Sequence, residues 1–145
     1  MLSLATPSLS LLRPVIALNF WTFAMEAWMY ATRIPAVSKY KVPTTDGVSK
    51  TDFNARIPPN IQWKADNYNH LMEQPTQFYA VAITLALLGA DDGLNVGLCW
   101  LYVGLRIAHS LVHATVNKIM LRFQLFAASS IVLVGLAVRA AVMVF

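Results

Sequence analysis

Polar and apolar positions divide the chain into four long apolar stretches, residues 9–32, 67–89, 94–116 and 120–145, joined by polar connections. Each reaches the roughly 20 residues that a helix needs to cross the hydrocarbon core of a bilayer. The pattern therefore predicts an all-α fold, an integral membrane four-helix bundle filling one domain over residues 1–145. Pro14 sits in an opening turn, where its missing N–H costs little, and Arg33 and Pro35 close the first stretch. Residues 33–66 hold Pro43, Thr44, Thr45, Asp46 and Gly47, then Pro58, Pro59 and Asn60. That composition belongs to turns, so this segment reads as the longest loop.

Composition supports lipid as the solvent. The chain is 57% hydrophobic and 12% charged, against roughly 25% charged residues in an ordinary soluble domain. The net charge of +4 is spread without runs or interleaved aromatics, which argues against nucleic acid as a partner. Cys99 is the only cysteine, so an intrachain disulfide is impossible. The first apolar stretch lacks a basic leader and contains Glu26, which reads as a retained span and not a cleaved signal peptide. Basic residues mark cytoplasmic connections. Arg33, Lys39, Lys41, Lys50, Arg56 and Lys64 lie in loop 33–66, and Lys118 and Arg122 flank the connection at 117–120, whereas the second loop offers Asp91 and Asp92. Loops 33–66 and 117–120 are thus expected on the cytoplasmic side and both termini on the opposite side.

With that orientation, Glu26, Glu73, Arg106 and His109 fall in one layer, roughly 10 to 15 Å inside the cytoplasmic edge at the rise of an α-helix. Ionisable groups inside a span usually face the bundle interior and pair there. Arg106, His109 and His113 share a helix face at i, i+3 and i+7, and Asn69 and Glu73 lie one turn apart. The expected arrangement is a structural ion pair between Glu73 and Arg106 with His109 beside it, since mutual neutralisation is the least costly way to hold both charges. Polar ties of this kind join helices whether or not any chemistry follows. His109 and His113 lack the Glu of an H-E-x-x-H motif, and His70 is the only further histidine, so no metal site is expected. Arg33, Lys118 and Arg122 could form an interfacial cluster for an anionic headgroup, or be ordinary positive-inside charge. The run Ala127, Ala128, Ser129, Ser130 allows close helix packing.

Three stretches have a recognisable spacing. Asn69 to Pro75 with Phe78 and Tyr79 has the form N-x-x-x-E-x-P-x-x-F-Y; Arg106, His109 and Ser110 give R-x-x-H-[ST]; Arg122 follows Arg106 by sixteen residues, and Arg33 closes the first span. Over essentially the whole chain these resemble the MAPEG family, the membrane-associated proteins in eicosanoid and glutathione metabolism, and its bacterial-type branch in particular. The resemblance implies a homotrimer in a bacterial inner membrane, with glutathione as cofactor between subunits in the cytoplasmic half. It also implies a glutathione-dependent transferase or peroxidase acting on lipophilic electrophiles. By position Arg122 would be the catalytic thiolate stabiliser, with Arg33, Asn69, Glu73 and His113 binding the tripeptide and Arg106 structural. The chain departs from glutathione-using members in two places. Lys64, Ala65, Asp66 and Asn67 stand where an arginine is common, and His113 stands in place of a tyrosine. Some members are non-catalytic, so the alternative is a membrane scaffold or accessory subunit with a partner in a membrane complex.

Overall fold

The computed structural model describes residues 8–145 and is helical throughout, with no strand among the described residues. The start of the expected single domain, residues 1–7, lies outside them. The helices are α1 (Leu9–Lys39), α2 (Lys50–Ala55), α3 (Pro59–Leu71), α4 (Pro75–Leu87), α5 (Gly93–Thr115) and α6 (Ile119–Val144). Of these, α5 and α6 are long and apolar enough to cross a membrane.

The centre of the fold is α5, which packs against α1, α3 and α6. Its buried positions are Asn95, Cys99, Tyr102, Val103, Arg106, His109, Ser110, His113 and Ala114. They recur every three or four residues, the spacing of one continuous helix face. The apolar half of that face, Cys99 to Val103, joins Leu11, Val15 and Leu18 of α1, Phe78, Ala82 and Leu85 of α4, and Leu133 and Leu136 of α6 in one core. Phe78 stacks on Tyr102 with ring centroids 4.4 Å apart. The outward face of α6 exposes Phe123, Ile131, Val134, Val138 and Val142, a stripe suited to lipid and poorly suited to water.

Tight caps join the helices. After α4 the chain turns at Gly89 with φ +66°, and the N–H groups of Ala90 and Gly89 donate to the carbonyls of Leu85 and Ala86. This is the paired closure of a helix end that requires a left-handed residue. The carboxylate of Asp92 then accepts from the N–H groups of Leu94 and Asn95 at the start of α5. Arg139 of α6 donates to Asp92 at 3.0 Å and also to Asn95. Between α5 and α6, Asn117 takes φ +50°, and its side-chain oxygen accepts from Arg122 at 2.5 Å.

Two expected boundaries are corrected. The first helix does not stop at Arg33; it runs through Pro35 to Lys39. Proline removes one backbone bond there, but tertiary burial outweighs the loss, with Ala36, Val42 and Ile57 all buried where the chain folds back. The second correction concerns residues 67–89 and their preceding loop. Helix begins at Pro59 and is interrupted between Leu71 and Pro75. Much of the expected loop 33–66 is therefore helical, as the end of α1, α2 and the first half of α3.

The Asp92 clamp is titratable. The Asn95 N–H, followed by Arg139, holds the Asp92 carboxyl below its ordinary value. A group with a lowered pKa in the folded state stabilises the fold above its unfolded pKa and loses that contribution as pH falls through the folded value. Melting temperature in detergent should therefore fall on acidification in the carboxylate range, with a shallower acid limb in Asp92→Asn than in the parent.

Candidate functional site

Interruption of the second helical rod sets the geometry of the polar layer. Pro75 has no N–H to return to Leu71, so the ladder breaks. Residues 72–76 turn through shorter bonds, Met72 N–H to Asn69 O at 3.0 Å, Glu73 N–H to His70 O at 3.3 Å and Thr76 N–H to Glu73 O at 3.3 Å. Across the break, the Arg106 side chain of α5 donates from Nη2 to the His70 carbonyl at 3.2 Å. Gln74 ties the same turn to the other helices, donating to Ser130 Oγ at 2.7 Å and accepting from Tyr102 Oη at 3.4 Å. Ser129 and Ser130 thus serve packing inside the chain.

Three imidazoles gather beside the break. The His70 ring lies 4.9 Å from His109 and 6.1 Å from His113, centroid to centroid, and 5.4 Å from Phe126. His109 and His113 are buried, at 2% and 4% exposure. The guanidinium of Arg106, fully buried, stands 5.8 Å from the Phe126 centroid, within reach of a cation–π contact. A cleft of about 220 Å³ opens beside this cluster, lined by His70, His109, Ile119, Arg122, Phe123 and Phe126. A larger groove of about 570 Å³ follows one face of α1, where Arg13 is the sole charged residue.

Several polar atoms of the layer have no partner among the described residues. They are Nε and Nη1 of Arg106, Nε of Arg122, Nδ1 of His109 and His113, and Oδ1 of Asn67. Buried donors left unmade are costly and call for water or a ligand. Three of these atoms are guanidinium N–H donors, while Asn67 Oδ1 can only accept, so the arrangement suits an anion or ordered water, with Phe123, Phe126 and Ile119 offering an apolar wall beside it.

The structure separates the residues expected to act together. Glu73 does not pair with Arg106 within the chain. Its carboxylate accepts from His70 Nδ1 at 2.8 Å and is 68% exposed. The expected pair places Glu73 by depth along a span starting near residue 67, whereas the turn at 72–74 leaves Glu73 facing outward. Asn69 is exposed as well. Arg33 donates to Asn54 Oδ1 at 2.7 Å and lies 5.1 Å over Phe53, while Arg122 lines the cleft. Glu26 is half-buried and forms no hydrogen bond or ion pair among the described residues. His70 and Asn67 were not among the residues singled out for the site. Asn67 is 1% exposed and donates to Ser110 Oγ at 2.8 Å, tying α3 to α5. The signal for His70 was its i, i+3 spacing to Glu73, one helical turn.

Fold and cleft together define an all-helical protein with two membrane-length apolar helices and a basic, histidine-lined site in their midst. The MAPEG family model matches residues 11–142, and the chain belongs to that membrane-integral family. Among curated proteins and among solved structures the chain has no significant match. Members generally use glutathione, and membership is consistent with glutathione-related transferase or peroxidase roles in general.

Because Glu73 is exposed and Asn67 is not, Glu73→Gln should change unfolding free energy by about 0.5 kcal/mol or less. Asn67→Ala, which leaves Ser110 without its donor, should cost about 1–2 kcal/mol. Unfolding of both variants in detergent micelles measures the difference. A loss above about 2 kcal/mol for Glu73→Gln would mean that its carboxylate meets a buried cation.

Proposed function

We propose that the protein is a glutathione-dependent transferase or peroxidase acting on lipophilic electrophiles at the cytoplasmic face of a bacterial inner membrane. The observation that carries the reading is the cleft in which Arg122, with an unpartnered Nε, stands beside an apolar wall of Ile119, Phe123 and Phe126. A guanidinium stabilises a thiolate and so lowers a thiol pKa, and the thiolate is the nucleophile. The wall suits a substrate arriving from lipid.

In this reading α1, the α3–α4 rod, α5 and α6 are the four spans of a bundle, and three copies form a homotrimer. Loops 33–66 and 117–120 face the cytoplasm and the termini the other side. Asn69 and Glu73 are exposed on either side of His70, a placement suited to contacts with a tripeptide at a subunit boundary. Arg33 would join by exchanging its bond to Asn54 for a ligand carboxylate, and His113 would line the inner wall. Arg106 is structural, through His70 O. Glutathione, when bound, supplies the thiol that becomes nucleophile or reductant. The second reading is a non-catalytic scaffold within a membrane complex. It is favoured by the engagement of Arg33 with Asn54 and Phe53 inside the chain.

Calorimetric titration of the detergent-solubilised protein should give binding at millimolar glutathione or below. Conjugation of an aryl halide should fall about a hundredfold in Arg122→Ala, the loss typical of removing one donor to a developing anion. Absence of heat at millimolar glutathione excludes this reading and leaves the scaffold.

A further inference from the structure

We propose that His70 is the general base for the thiol in this cleft and that Glu73 is its positioning residue. The inference rests on the glutathione reading above and deepens it by assigning the proton. Three observations carry it. First, His70 is the histidine that both lines the cleft and retains access, with 21% side-chain exposure. Second, its Nδ1 is 2.8 Å from the Glu73 carboxylate. A carboxylate accepts only, so Nδ1 carries the hydrogen and Nε2 keeps a lone pair. No hydrogen bond occupies Nε2 among the described residues. Third, Arg122 lines the same cleft, so base and anion stabiliser share one space. His109 also reaches the cleft, but it is buried and its Nδ1 has no partner to fix a tautomer.

A nucleophile, a base within reach and a third group orienting the base is the arrangement by which weak nucleophiles are activated. His70 Nε2 takes the proton as the S–H bond breaks, and Arg122 holds the electron pair left on sulfur. The imidazolium so formed is paired with Glu73. His70 returns to neutrality by passing the proton to water once the sulfur has bonded to carbon and the leaving group has departed with its electron pair. The charged or titratable groups facing His70 are Glu73 from its own turn, Arg106, His109 and His113 from α5, and Arg122 from α6. The two guanidinium groups oppose positive charge on the ring and Glu73 favours it, so the ring can both accept and release a proton.

The test follows the proton as well as the rate, in the full-length protein with glutathione. In the parent, thiolate absorbance in the ultraviolet should appear on binding with no net proton release to a pH indicator, because His70 keeps the proton. In His70→Gln the thiolate signal should vanish at neutral pH, or persist only with release of a proton. Conjugation should fall about a hundredfold, within the usual range for a general base, and lose its inflection in the pH profile. Glu73→Gln, at an exposed position, keeps a hydrogen bond but removes the charge that favours imidazolium, so the inflection should move to lower pH. Thiolate formation in His70→Gln that still releases no proton, or a parent-like pH profile in both variants, overturns the proposal while leaving glutathione binding intact. Absence of glutathione binding in the parent overturns the function and this assignment together.

Discussion

The hydrogen bond from Arg106 to the His70 carbonyl is the contact on which the polar half of this fold depends. It joins the central helix α5 to the place where the α3–α4 rod is broken by Pro75, and each side needs the other. In hydrocarbon a broken helix is tolerated only where neighbouring groups satisfy the freed backbone. A guanidinium inside a bundle is likewise tolerated only where acceptors meet it. Arg106 and Gln74 supply the first need, with Ser130 and Tyr102 completing the clamp. The His70 carbonyl and the Phe126 ring supply part of the second.

From that contact the layout of the cleft follows. Ending α3 at Leu71 frees the next three residues from helical spacing, which turns Glu73 outward and leaves His70 facing α5 and α6. The ring of His70 then packs on His109 and Phe126, and the remaining gap, bounded by the first turns of α6, is the cleft containing Arg122. The break leaves an accessible imidazole with a carboxylate behind it.

The long apolar segments were legible in the amino-acid sequence because span length and hydropathy are local properties. The third and fourth segments, 94–116 and 120–145, match α5 and α6 to within a few residues. Positions at i, i+3 and i+7 on α5 were readable for the same reason, and Arg106, His109 and His113 are all buried. The helical content of residues 33–66 was hidden, because the first helix continues past Pro35 where the chain folds back on itself, with Arg33 bonded to Asn54 twenty-one positions away, which no local pattern records. Partner choice was hidden for a related reason. Glu73 and Arg106 are the obvious pair by charge and depth, but a few turn residues decide which way a side chain points.

The remaining electrostatic imbalance is informative. Arg106 is fully buried and Arg122 lines the cleft nearby, while the Glu73 carboxylate is exposed and bonded to His70. A buried cation without a counter-anion costs several kcal/mol, and imidazole and carbonyl dipoles offset only part of that. A bundle selected for stability alone would replace Arg106 with an apolar side chain of similar volume. Its presence, together with guanidinium N–H donors that meet no protein acceptor, fits the proposal of an anionic ligand at this layer. An anionic thiol ligand, a second subunit presenting a carboxylate, or both, would supply the missing charge. The exposed flank at Asn69 and Glu73 is where either would arrive.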